Sequence, residues 1–143
     1  MRRWERGQVM PYMAVFLALV VVPLAVLSVD VVRALYVRTH LQTATDAACE
    51  AAAQAIDAAA FRSGGAERIN LGLGTGYAQR EFAATVAEKG IVGYSPALTG
   101  IWLQSPTVVA CRAVASVQLL IPAAPVALNV SATSVSEMRV RRR

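Results

Sequence analysis

Three features of this 143-residue chain predict an α+β fold in which a long N-terminal helix carries a small antiparallel β-sheet. Residues 7–29, GQVMPYMAVFLALVVVPLAVLSV, carry no charge. An alanine-rich stretch without proline or glycine runs on from Asp30 to Phe61. The last third is rich in β-branched residues, with apolar and polar side chains alternating at the two-residue period of half-buried strands.

The uncharged stretch reads as a membrane span. At 1.5 Å per residue, residues 7–29 extend about 34 Å as a helix, enough to cross a hydrocarbon core of about 30 Å. A secretory signal has a shorter apolar region ending in a small-residue cleavage pattern, and none precedes Asp30. Pro23 cannot donate to the carbonyl of Leu19, so a kink is expected there. Arg2, Arg3 and Arg6 before the span outnumber Arg33 and Arg38 just after it. That difference favours a cytoplasmic N-terminus, with Arg6 and Asp30 marking the membrane boundary.

Beyond Asp30 the helix is expected to continue as an amphipathic extension to about residue 62. Leu35, Val37, Leu41, Ala44, Ala48, Ala51, Ala52, Ala55, Ile56 and Ala59 recur at helical spacing, with Arg38, Gln42, Asp46, Glu50, Gln54 and Asp57 between them. The face of Ala44, Ala48, Ala51 and Ala55 permits close approach, either to another helix or to the chain's own small domain. Residues 63–76, SGGAERINLGLGTG, hold five glycines and read as a linker. A short helix is expected over residues 77–90, with Phe82 and Val86 buried and Gly90 at its end.

The remainder of residues 77–143 reads as a small extracytoplasmic region with C-terminal strands and a basic tail. Ala113, Ala115, Val117 and Leu119 alternate with Val114, Ser116 and Gln118, and Leu128, Val130, Ala132 and Val135 roughly alternate with Asn129, Ser131 and Thr133. The PAAP segment, residues 122–125, separates the two runs. A two-stranded hairpin is marginal alone, so two or three strands are expected to pack against the amphipathic helix.

Composition narrows the function. The net charge of +5 gathers in residues 2–6 and in Arg139, Arg141, Arg142 and Arg143, without interleaved stacking aromatics, which argues against nucleic-acid binding. His40 is the single histidine and no nucleophile constellation is visible, so no catalytic residue, metal site, cofactor or enzymatic activity is expected. The glycines of residues 72–76 lack the lysine of a phosphate loop. Cys49 and Cys111 lack metal-site spacing. They are candidates for a disulfide if the region after Asp30 lies outside the cytoplasm, and otherwise for two buried thiols. A bond would close a loop of about sixty residues, worth roughly 4 kcal/mol in the chain-entropy model.

With Arg6-Gly7, Val29-Asp30, Leu41-Gln42, Ala44, Asp46-Ala47-Ala48 and Ala51-Ala52-Ala53 in place, residues 6–60 resemble Tad-type pilus proteins of the TadE/TadG class. The resemblance implies a role in a tight-adherence (type IVc) pilus or secretion system. It implies a minor pilin-like or assembly subunit in the cell membrane, whose partners are lipid, other subunits and copies of itself. Members of the cleaved kind are cut after a glycine and carry a glutamate at the fifth mature position. Counting from Gln8 after Gly7, that position is Tyr12, which disfavours a peptidase site at Gly7-Gln8 and favours the uncut, TadG-like kind. Larger TadG relatives add a von Willebrand-type domain, for which this length leaves no room. Two alternatives stay open: a filament subunit with the apolar helix in the filament core, and a tethered binding module using the basic tail.

Overall fold

The computed structural model describes residues 9–90, 94–120 and 127–139. Helix α1 (Val9–Phe16) passes through a π-helical turn (Leu17–Val21) into α2 (Val22–Ala53), followed by α3 (Ala58–Gly64) and α4 (Leu71–Lys89). Strands β1 (Tyr94–Ser105), β2 (Val108–Gln118) and β3 (Ala127–Glu137) form one antiparallel sheet in that order, so the α+β class holds with three strands.

The π turn has its cause in Pro23, which occupies the first turn of α2 without an N–H to give. The Val22 N–H instead reaches back five residues to the Leu17 carbonyl, and the chain stays helical on both sides. From there α2 runs unbroken for 32 residues.

The helix stops eight residues short of Phe61. Gln54 closes α2, and Ile56 turns out to bridge Ile69. The Asp57 N–H donates to the Arg68 carbonyl and the Asn70 N–H to the Ala55 carbonyl, at 2.9 and 2.8 Å. Asp57 then restarts a short helix, its carboxylate accepting from the N–H groups of Ala59 and Ala60. Neither proline nor glycine marks this break; tertiary bridging and a cap make it.

The expected linker at residues 63–76 is also shorter in the structure. Gly65, at φ +66°, ends α3 in the left-handed conformation, and residues 65–70 make the connection. Asn70 caps α4 by accepting from the Leu73 N–H, so the GLGTG run is helical. Gly74 explains why glycine suits this helix. A Cβ there would lie 3.0 Å from the Ala52 carbonyl oxygen and 3.5 Å from the Ala55 Cβ, so the missing side chain is what lets α4 close onto α2. The far end of α4 follows expectation, with Phe82 buried, Val86 against the core and Gly90 (φ +56°) as the terminating residue.

The sheet lies along the second half of α2. Val109, Cys111, Ala113, Ala115 and Val117 of the central strand all turn inward. They meet Val37, Leu41, Ala44, Ala48, Cys49 and Ala52 of α2, while α4 covers another side of the same helix. Strand β3 presents Val130 and Ala132 to the core, as read from the alternation, but Leu128 and Val135 are exposed. Ser134 and Ser136 take the inward register there instead. The inward side chains of β2 and β3 are small, so helix and sheet approach closely. The PAAP segment lies outside the described residues.

Candidate membrane boundary and assembly surface

Burial along the long helix begins at Asp30, and beyond it one face stays exposed through Val31, Val32, Leu35 and Tyr36. Every described side chain from Met10 to Val29 is exposed except the half-buried Val26, and nearly all are apolar. At Asp30 exposure falls to 3%. The exposed part, residues 10–29, is about 30 Å long at helical rise, which matches the hydrocarbon thickness of a bilayer. Among the described residues one helix, spanning Met10–Ala53, is long and apolar enough to cross a membrane. Leaving so many large apolar side chains uncovered in water would forgo roughly 1.5–3 kcal/mol for each.

Asp30 has a specific partner. Both carboxylate oxygens accept from the Leu120 N–H, at 3.0 and 3.2 Å. Three residues on, the Arg33 guanidinium donates to the Gln118 carbonyl at 3.4 Å. Together they tie the end of β2 to the helix where the apolar stretch ends. The sequence marks Asp30 as a boundary; its bond to a backbone 90 residues away has no local signal. Further up, the Gln42 side-chain amide joins the Asp46 carboxylate and the Thr133 carbonyl. A groove of about 580 Å³ opens beside Asp30 between α2 and the sheet, lined chiefly by Leu27, Leu35, Arg38, Leu128 and Val130.

The alanine face is filled from within the chain. Ala44, Ala48 and Ala55 are buried and Ala51 is half-buried, with the sheet and α4 packed against that part of α2. The large apolar surface left uncovered is instead residues 10–36, through Leu35 and Tyr36. His40 is half-buried, its ring edge-on to Tyr36 at 4.2 Å between centroids.

Cys49 and Cys111 meet where α2 crosses the central strand, both fully buried and unbridged. The Cys49 Sγ lies 3.5 Å from the Val109 carbonyl and 3.4 Å from the Ser134 carbonyl. A hydrogen bond between the two sulfurs, reinforced by burial, pushes the Cys111 thiol up. No group of three or more metal-ligating side chains gathers among the described residues. Gly7, Gln8, Arg6 and the tail Arg141–Arg143 lie outside the described residues, while Arg139 is exposed.

No curated protein and no solved structure matches the chain. Residues 7–55 match the family model for Flp pilus-assembly TadE/G-like proteins. That segment covers the apolar span, the Asp30 boundary and all of the helix onto which the sheet docks. Over residues 7–55, then, the chain is similar to the TadE/G-like proteins of Flp pilus assembly.

Proposed function

We propose that this Tad pilus component is a single-pass membrane protein that acts as a minor pilin-like or assembly subunit through contacts made by its helix and its small sheet domain. The N-terminus lies in the cytoplasm, residues 9–29 cross the bilayer, and everything from Asp30 onward stands outside. One observation carries the reading: a run of exposed apolar side chains one bilayer thickness long precedes Asp30, the first buried residue of the helix, where the packed domain begins. The partners are membrane lipid and other pilus subunits, with self-association through the span. The reading assigns the chain no reaction.

A filament subunit is the competing reading, because packed neighbouring helices would cover the same apolar surface as lipid does. Intact mass separates the two, measured on sheared surface filaments and on washed membranes. The full-length mass confined to membranes is expected. A mass lacking Met1 to Gly7, found in filaments, would refute the anchor and make the chain a processed pilin. Replacing Arg139, Arg141, Arg142 and Arg143 with glutamine leaves assembly unchanged on this reading, whereas loss of assembly would favour a tail-binding module.

A further inference from the structure

We propose that in the exported protein Cys49 and Cys111 form a disulfide that fastens the membrane-anchored helix to the central strand of the sheet. The inference rests on the topology proposed above, because only a region outside the cytoplasm meets conditions in which such bonds persist. The geometry singles out the pair. Val109 and Cys111 stand two apart on β2 and point to the same side, and Ser134 is the direct cross-strand partner of Cys111. The Cys49 sulfur touches the carbonyls of both Val109 and Ser134, so it sits over the ladder step that carries Cys111, within hydrogen-bonding reach of that sulfur. These are the chain's two cysteines, so one intramolecular pairing exists. The bond would enclose α3, α4 and β1 between α2 and β2.

The chemistry is thiol–disulfide exchange with a disulfide-bearing oxidoreductase. One cysteine thiolate attacks the donor disulfide to give a mixed disulfide and releases one donor thiol. The second cysteine thiolate then attacks the chain's own sulfur in that mixed disulfide, closing the Cys49–Cys111 bond and releasing the other donor thiol. The chain gives up two protons and two electrons, and the electrons reduce the donor to its dithiol. Because both sulfurs are fully buried once the sheet has docked, the exchange belongs to folding, before α2 and β2 close. The finished bond is then shielded from soluble reductants.

The test uses the full chain in its native cells. Thiols are trapped by acid quench and alkylated under denaturing conditions, with intact mass and non-reducing peptide mapping as the readout. In parallel, protease added from outside, after removal of any outer envelope, reports which side of the membrane the domain occupies. The expected result is a protein without alkyl groups and two hydrogens lighter than its dithiol form. It yields a linked peptide pair containing Cys49 and Cys111, takes up two alkyl groups after reduction, and has its domain digested from outside. Two alkyl groups without reduction, in a domain digested from outside, would overturn the disulfide and leave the topology standing. Two alkyl groups in a domain protected from outside would overturn the topology and the disulfide with it.

Discussion

Two glycines two residues apart on α4, Gly74 and Gly76, should respond to the same substitution with opposite sign. Gly76 is exposed, and a Cβ added there meets nothing within 4 Å. Gly76→Ala therefore collects the helix-propensity gain alone, roughly 0.8–1 kcal/mol. Gly74→Ala gains the same propensity but places its Cβ 3.0 Å from the Ala52 carbonyl oxygen. That oxygen is backbone at the buried end of α2, already accepting from the Ala55 N–H at 3.2 Å, so it has no side-chain freedom with which to yield. Forcing such a contact costs about 1–3 kcal/mol, which exceeds the propensity gain and leaves a net loss of about 1 kcal/mol. The two variants should differ by about 2 kcal/mol. At roughly 4–8 °C per kcal/mol for a domain of this size, the midpoints move apart by about 10 °C. Circular dichroism of the full chain in detergent, followed through heat or urea unfolding, measures this. Equal stabilisation by both substitutions would refute the idea that close approach of α4 to α2 sets the spacing of the core.

Asp30→Ala leaves the part-buried Leu120 N–H without its acceptor, a loss of about 1–3 kcal/mol, and hydrogen exchange at the Leu120 amide should quicken while amides in mid-α2 stay protected. Leu41→Ala opens a cavity at a fully buried position facing the sheet and should cost about 2–5 kcal/mol in urea unfolding. Asp57 titrates below its ordinary value of 3.8, held down first by the Ala60 N–H and then by Arg68. Its folded value being depressed, the stabilisation it gives is complete above the ordinary value and is lost as pH falls through the depressed one. The Ala60 amide resonance should follow that midpoint, and Asp57→Asn should abolish the transition.

What the sequence discloses depends on how local the cause is. The span is legible because lipid-facing residues must be apolar, and from Met10 to Val29 every side chain but the half-buried Val26 is exposed. The inward face of β2 is legible because Ala113, Ala115 and Val117 obey a fixed period. The end of α2 is not, since alanine favours helix through residue 60 and the break arises from Ile56 pairing with Ile69 across a turn. The glycines of residues 72–76 mislead for a related reason. Their intrinsic cost of roughly 1 kcal/mol each argues against helix, yet at Gly74 the absent side chain permits packing that a larger residue would block. On β3 the apolar Val135 points outward and Ser134 inward, so polarity alone gives the wrong face past Ala132. Of the candidate site, the position of Asp30 shows in the sequence, whereas its partner Leu120 and the meeting of Cys49 with the Val109–Ser134 step are products of chain topology.

The placement of irregularities along the helix bears on how the protein would move. Helix α2 runs unbroken from Val22 to Ala53, so the crossing from span to domain at Asp30 has no hinge of its own. It is stiffened further by the Asp30–Leu120 and Arg33–Gln118 bonds, which attach the sheet to the helix within one turn of the boundary. The π turn at Leu17–Val21, with Pro23 just after it, lies inside the span, where weakened backbone hydrogen bonding concentrates bending. On the topology proposed above, a force on the domain would reach the membrane through a rigid lever and be relieved near mid-bilayer. Pro23→Ala restores a donor for the Leu19 carbonyl and should straighten that point, which amide protection of residue 23 in bilayers would report. If the helix bent as readily at Asp30 in that variant as the parent does at Pro23, the lever would be misplaced.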